Sequence, residues 1–223
     1  MKKDISTKIF HYNGLIIELH PEVYDPAEDT FLLINSLNVS RECSVLEIGT
    51  GCGLVALECA RFGANVVCTD INPYSVELTM RNYNRNKDII KGNFEVRKGY
   101  LFSPIKPKEE FDLIIFNPPY LPTKKNDLTK GSGWFDVATD GGIDGIKITS
   151  KFIDKLPNFL KQNGNAYFVF SSLSDSKKLE RLIKRKKFQF KIVKKETLNS
   201  ETISIYLLKK RLRGGKFPIY PSS

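Results

Sequence analysis

Asn117-Pro118-Pro119-Tyr120 follows directly on the apolar run Phe111-Asp112-Leu113-Ile114-Ile115-Phe116. The two prolines bring no backbone N–H and hold φ at about −65°, so the corner is stiff and offers acceptors rather than donors. The Asn117 side-chain oxygen and the Pro118 carbonyl can each accept one bond from an NH2 group, while the Tyr120 ring can lie against a flat amide or base. A planar nitrogen gripped at both hydrogens is poised to attack an electrophile. The set Asn117, Pro118 and Tyr120 therefore predicts group transfer to an amide or amine nitrogen. The competing reading makes Asn117 only a turn former ahead of Pro-Pro.

The electrophile is suggested further upstream. Ser44-Val45-Leu46-Glu47-Ile48 runs into Gly49-Thr50-Gly51-Cys52-Gly53 and then into the apolar-periodic stretch from Leu54 to Phe62. This is strand, glycine turn, helix, in which backbone can approach a ligand closely and the helix N-terminus presents free N–H groups. A second strand, Asn65 to Asp70, ends on an acid of the kind that takes ribose hydroxyls in nucleotide-binding α/β folds. Alone, these features fit NAD or another nucleotide equally well. The Gly-x-Gly-x-Gly spacing differs from the dinucleotide pattern, and joined to Asn-Pro-Pro-Tyr it favours S-adenosylmethionine, with Glu47, Gly49, Gly51 and Asp70 at the cofactor.

The elements that must position these residues follow from pattern. Phe111 to Phe116 reads as a strand buried on both faces of a parallel sheet, and such sheets bind ligands beyond their strands' carboxyl ends. Asp25-Pro26-Ala27-Glu28 has the form of a capping box, predicting a helix from Pro26 to Leu37. Asn72-Pro73 starts another helix, reaching Asn86, and Asn93 to Arg97 is a short strand. Pro122 to Gly142 is a long strandless insertion carrying Gly131-Ser132-Gly133-Trp134, a segment of a kind that is usually functional or disordered; Trp134 is either a lid or a packing anchor. A helix from Asp144 to Leu160, interrupted or kinked at Pro157, precedes a strand from Asn165 to Ser171 and a helix from Ser174 to Lys186. Phe188 to Lys194 and Thr202 to Leu208 form a terminal antiparallel pair. Residues 1–208 are expected to be one domain, and 209–223 a disordered basic tail.

Composition bounds the function. With 223 residues and 41% hydrophobic content the chain can bury one substantial core. It has no apolar stretch of spanning length and no signal-peptide pattern, which predicts a soluble, cytoplasmic protein without a membrane partner. Cys43, Cys52, Cys59 and Cys68 form no Cys-x-x-Cys pair, and His11 and His20 are the only histidines. No metal site is predicted, and the thiols are expected to be reduced, half-buried hydrophobes. Residues 161–223 hold sixteen Lys and Arg against four Asp and Glu, so the whole net charge of +10 lies there. Lys184-Arg185-Lys186-Lys187 and Lys209-Lys210-Arg211-Leu212-Arg213 suit contact with RNA or an RNA-bound partner, or simply a solvated lysine face, the plainer reading because no aromatic interleaves them.

Glu47 to Gly53, Asp70-Ile71-Asn72-Pro73, Asn117 to Tyr120 and the segment Val23-Tyr24-Asp25-Pro26-Ala27-Glu28-Asp29-Thr30-Phe31-Leu32-Leu33 together resemble the HemK-type glutamine methyltransferases. They resemble more narrowly the archaeal and eukaryotic branch, which lacks the bacterial N-terminal helical domain; the likeness spans residues 15–208. It implies a Rossmann-like class I S-adenosylmethionine-dependent methyltransferase: an α/β fold with a mostly parallel seven-stranded sheet, helices on both faces and an antiparallel C-terminal strand. It also implies that Thr30 touches the methionine end of the cofactor, with Glu28 either a cap or a functional residue. The family usually places an acid before Leu-Phe to accept the adenine amino group. Here the residues are Gly99-Tyr100-Leu101-Phe102, so adenine would stack on Tyr100 or use the Leu101 N–H, or the loop is shifted.

The resemblance further implies a substrate, the glutamine of the Gly-Gly-Gln loop of a class I peptide chain release factor. It implies as partner a small zinc-containing activator subunit, added at the sheet edge beside Asn93 to Arg97 and covering Phe94 and Val96. The alternatives are a DNA or RNA base N-methyltransferase, which shares Asn-Pro-Pro-Tyr, a lysine methyltransferase, and a non-catalytic binding module.

Overall fold

The computed structural model describes residues 8–122 and 133–211. A hairpin of β1 (Ile9–Tyr12) and β2 (Leu15–Glu18), turned at Asn13-Gly14, precedes helix α1 (Glu28–Ile34). Then come β3 (Ser44–Ile48), α2 (Leu54–Arg61), β4 (Asn65–Asp70), α3 (Pro73–Asn86), β5 (Phe94–Lys98) and β6 (Phe111–Phe116). The remainder is α4 (Trp134–Thr139), α5 (Lys147–Lys155), β7 (Leu160–Ser171), α6 (Ser176–Arg185), β8 (Phe188–Leu198) and β9 (Glu201–Lys210).

Seven of these strands form one sheet in the order β5-β4-β3-β6-β7-β9-β8. Its first five members are parallel, and β9 runs antiparallel between β7 and β8. Because successive strand residues face opposite sides, one strand feeds two cores. Leu46, Ile48, Ile114 and Phe116 pack with Phe152 and Ile153 of α5 and Leu179 and Ile183 of α6. Val45, Leu113 and Ile115 face the other side, against Leu32 and Leu33 of α1 and Val55, Cys59 and Ala60 of α2. Burying each such large side chain stabilises the fold by about 1.5–3 kcal/mol, which explains why most positions of β3 and β6 are apolar, Ser44, Glu47 and Asp112 being the exceptions.

The hairpin is the element that the sequence reading misses. Its four-residue strands are held by side chains from α3, not by the main sheet. Asn82 Oδ1 accepts the Glu18 N–H at 2.8 Å and Asn82 Nδ2 donates to the Glu18 carbonyl at 3.0 Å and to the Cys52 carbonyl at 2.8 Å. Asn86 does the same for Ile16, at 2.8 Å in both directions. These two buried amides take the place of a neighbouring strand and dock the hairpin over the glycine turn.

Several boundaries differ from expectation. The predicted capping box at Asp25 is displaced: Ala27 is the N-cap of α1, and the helix ends at Ile34 rather than Leu37. Glu28 is exposed, outside any cap of its own. The segment from Asp144 to Leu160 is interrupted at Pro157, one of the two expectations, by a 3₁₀ turn, Leu156–Asn158, but α5 covers only Lys147–Lys155 and β7 starts at Leu160 rather than Asn165. Among its described residues the insertion holds no strand, as expected, but it does hold the helix α4, and Asp140 bridges Leu121; Gly131 and Ser132 lie outside the described residues. Strand β9 carries Lys209 and Lys210 in register with Gln189 and Phe188, so the basic tail begins later than Lys209; residues 212–223 lie outside the description. Phe94 and Val96 on the edge strand β5 are part-buried rather than fully exposed, Phe94 stacking on Tyr83 with centroids 4.8 Å apart. That edge also shows Arg97 bridging Glu95 at 2.8 Å and Glu109 at 2.7 Å, and charge of this kind blunts an open strand. Of the cysteines, Cys52, Cys59 and Cys68 are buried outright and only Cys43 is half-exposed.

Candidate active site

Strands β3 and β6 are neighbours, with Ile48 opposite Phe116. The glycine turn and the Asn-Pro-Pro-Tyr corner therefore leave adjacent strands at the point where the sheet order reverses, the place where open α/β sheets bind ligands. One cavity opens there. Glu47, Gly49, Gly51 and Asp70 line its first wall, Tyr100 and Leu101 its far end, and Thr30, Asn117, Pro118 and Tyr120 the side nearest α1. The structure thus brings every residue expected at the site to one lining, together with Trp134 of α4.

The glycine wall is built to bring main chain close to a ligand. Gly49, Gly51 and Gly53 have φ of 69°, 57° and 86°, values that side-chain-bearing residues rarely adopt. At Gly53 a Cβ would also sit 2.8 Å from the Thr79 methyl. Asp70 ties this wall to the next: its carboxylate accepts the Gly51 N–H at 3.0 Å and the Asn72 N–H at 2.9 Å. Burial pushes the Asp70 carboxyl above its usual range, against the pull of those bonds. Asn72 in turn caps α3 by accepting the Tyr74 N–H at 2.9 Å.

Glu47 is buried, and one of its oxygens, Oε2, accepts both the Thr50 hydroxyl at 2.7 Å and the Ala56 N–H at 3.1 Å. It therefore fastens the turn to the first turn of α2. Burial raises its carboxyl to about 8, overriding the two bonds that favour the anion. A neutral carboxyl makes the same contacts, with its proton on the other oxygen. The folded state then keeps a proton that the unfolded chain releases, so the resulting stability is full below about pH 4.5 and is lost as pH rises through 8. The ligand-free protein should lose at least ~1 kcal/mol, or roughly 2–4 °C in Tm, between pH 5 and pH 8 from this group. Thermal melts of Glu47→Gln should be flatter over that window, and parallel pH profiles for the two proteins would refute the assignment.

On the opposite wall the sequence reading overlooked Asp29. This side chain is only 4% exposed. Its Oδ2 accepts the Asn117 amide Nδ2–H at 2.9 Å and the Tyr120 hydroxyl at 3.0 Å. Its Oδ1 accepts the Thr30 N–H at 2.7 Å and the Thr30 hydroxyl at 3.2 Å. Burial first, and then the Asp29 carboxylate, push the Tyr120 phenol far above its usual value, so Tyr120 is a donor and a surface rather than a base. The Tyr120 carbonyl accepts the Ser174 hydroxyl at 2.6 Å, which anchors the end of the corner. Asn117 Oδ1 is buried and has no hydrogen-bond partner among the described residues. Asp29 was hidden in the sequence by Glu28, the more obvious acid of a capping motif; its place directly before Thr30 on a buried helix face was the available signal.

Tyr100 is 38% exposed, with the Lys151 ammonium 5.4 Å from its ring centroid. Leu101 has φ of 48°, a conformation that turns the loop across the cavity end. Trp134 donates its backbone N–H to Glu22 at 3.0 Å, which fixes the start of α4 at the cavity.

The sheet order, the glycine turn beside Asp70 and the donor-free corner on the next strand define a Rossmann-like methyltransferase. The methyltransferase small-domain family model matches residues 22–140. A Methanocaldococcus jannaschii chain named as a protein N5-glutamine methyltransferase is 42% identical over 82% of this chain and 89% of its own. The human methyltransferase HEMK2 is 31% identical over 82% of this chain and 88% of its own. Among solved structures, Mtq2 from the E. cuniculi Mtq2–Trm112 complex superposes with a TM-score of 0.65 at 23% identity, covering 85% of this chain and 99% of that one. The chain belongs to the methyltransferase small-domain family and, within it, to the HemK-type N5-glutamine methyltransferases. Membership implies S-adenosylmethionine as methyl donor. The residues present fit such a group: a carboxylate at a strand end, main chain exposed by glycines, and an unpartnered buried acceptor on the facing wall.

Proposed function

We propose that the chain methylates the side-chain amide of the glutamine in the Gly-Gly-Gln loop of a class I peptide chain release factor. The observation that carries this reading is Asn117 Oδ1, buried and without a partner. Leaving such an acceptor unmatched costs about 1–3 kcal/mol, a cost relieved when an NH2 group enters. Bound S-adenosylmethionine supplies an electrophilic methyl carbon. Asn117 Oδ1 and the Pro118 carbonyl would hold the two amide hydrogens, turning the nitrogen lone pair outward and favouring the positive charge that grows on that nitrogen; the N–C bond forms as the donor's S–CH3 bond breaks, the sulfur leaves as a neutral thioether, and one amide proton passes to water. Tyr120 supports the flat amide. An amide nitrogen is a weak nucleophile, so alignment and electrostatics do the work, and fixed geometry of this kind removes several kcal/mol from a barrier. Of the residues lining the cavity, Asp70 would take the ribose hydroxyls, Gly49 and Gly51 would admit the donor's chain, Thr30 and Glu47 would flank its methionine end, and Tyr100 and Leu101 would cover adenine.

The relatives' names support the substrate. A Schizosaccharomyces pombe relative at 24% identity is named the eRF1 methyltransferase catalytic subunit mtq2, and Geobacter sulfurreducens supplies a release factor glutamine methyltransferase at 30%. The Mtq2–Trm112 complex supports a small activator subunit as partner, which we take to be zinc-containing and to join at β5. The test is incubation with labelled S-adenosylmethionine, with and without an activator, of a release factor, its Gln→Ala variant in the Gly-Gly-Gln loop, DNA and RNA. Label on the wild-type factor alone is the expected result. Label on nucleic acid with none on the factor would replace this substrate with a base amine.

A further inference from the structure

We infer that Asp29 is a positioning residue of the reaction, setting which way the Asn117 amide faces and how strongly its oxygen accepts; the inference rests on the glutamine reading above. Asparagine carries a donor and an acceptor at nearly identical positions, and only its partners decide which points where. At Asn117 the decision is made by Asp29. Its Oδ2, 2.9 Å from Nδ2, can only accept, so the amide NH2 must turn to it and Oδ1 must turn away. The flipped amide would set oxygen against carboxylate oxygen and present an NH2 to the substrate's NH2, donor against donor.

Three further bonds keep that carboxylate fixed. Tyr120 and the two donors of Thr30 share its oxygens, so Asp29 ties the corner on β6 to the first turn of α1. The same contact also acts electronically. A carboxylate accepting from Nδ2 polarises the amide and raises the electron density on Oδ1, as hydrogen bonds in series do at low dielectric. The stronger acceptor is then the one that faces the nitrogen on which positive charge develops. Asp29 lines the same cavity, but both its oxygens are already taken by Asn117, Tyr120 and Thr30, so the effect argued for it passes through Asn117.

The test is a double-mutant cycle with Asp29→Asn and Asn117→Ala, using the release factor as substrate. Asp29→Asn retains shape but offers a donor where Asn117 or Thr30 needs an acceptor. It should lower kcat about tenfold and leave the Kd for S-adenosylmethionine within about threefold, with a Tm a few degrees lower because one buried donor is left unmatched. In the Asn117→Ala background the same substitution should have little further effect on kcat, because the group it orients is gone. A second readout needs no turnover: the Asn117 side-chain amide resonances of the ligand-free protein should move in Asp29→Asn and stay in place in a control at exposed Glu28, Glu28→Gln. Unchanged kcat in Asp29→Asn, or equal losses in both backgrounds, would overturn the proposal. If the wild type itself leaves the release factor unlabelled, the substrate reading fails instead, and the resonance experiment still judges the orientation of Asn117.

Discussion

Asn117→Ala should lower kcat for glutamine methylation by about 10²–10³, the range found when one preorganised oxyanion-hole donor is deleted. The partner group here has the opposite sign, an acceptor aimed at developing positive charge, but the argument is the same: the oxygen is fixed before reaction and costs no reorganisation during it. Affinity for S-adenosylmethionine should stay within about threefold, because the donor's main anchors lie across the cavity on the Gly51 and Asp70 wall. Stability should fall little, since the substitution removes one bond to Asp29 and leaves Tyr120 and Thr30 holding that carboxylate. Asn117→Asp should be at least as inactive. It would set a second carboxylate against Asp29 and lose the amide's directional pairing. Single-turnover methyl transfer together with calorimetric cofactor binding separates the two constants. An alanine variant with wild-type kcat would mean that the corner is only a turn.

The sheet was legible because its strands carry buried apolar runs. Phe111 to Phe116 and Asn65 to Asp70 match the structure residue for residue: Phe111 and Phe116 bound one such run, and the polar residues Asn65 and Asp70 mark the ends of the other. Helix α3 was equally clear, because Asn72 and Pro73 mark its start chemically and the structure shows that cap accepting from Tyr74. Helix α1 was not. Asp25-Pro26-Ala27-Glu28 satisfies the local pattern of a cap, yet the helix starts two residues later, where Thr30 and Asp29 are drawn into the site. Tertiary demand overrides local preference there, and the same override concealed Asp29. The hairpin was illegible for a related reason. Its strands are only four residues each, and their partners, Asn82 and Asn86, lie 64 and 70 residues away on a helix face whose asparagines look like ordinary polar positions.

The basic runs show how position decides meaning. Lys184 and Arg185 close the last turn of α6, where cations are favoured by the helix dipole, and Lys186 pairs with Asp154 at 2.8 Å. Strand pairing sets Lys209 and Lys210 opposite Gln189 and Phe188, the residues that follow this run, at the end of the sheet away from the cavity. Their concentration in sequence therefore has a structural explanation at its first half, and it does not crowd the methyl-transfer site with positive charge.

Asp70→Ala should weaken S-adenosylmethionine binding by about 100-fold. Two ribose hydroxyls bonded to one carboxylate are each worth about 1.5–3 kcal/mol, and 1.4 kcal/mol is a factor of ten, so loss of both contacts exceeds two decades before compensation by water. A second effect acts in the same direction. The carboxylate also accepts the Gly51 and Asn72 N–H groups, so the alanine variant frees the glycine turn and raises the entropy lost on binding. Asp70→Asn separates the two contributions: one oxygen remains to hold a backbone N–H, while the amide NH2 meets a hydroxyl or the other N–H as a donor, and affinity should fall nearer tenfold. The ligand-free alanine variant should also melt several degrees lower, reporting the lost backbone contacts alone. Calorimetry with S-adenosylmethionine and melts of both variants resolve the pair. Wild-type affinity in Asp70→Ala would place the ribose elsewhere and leave the strand-end acid with only the turn to hold.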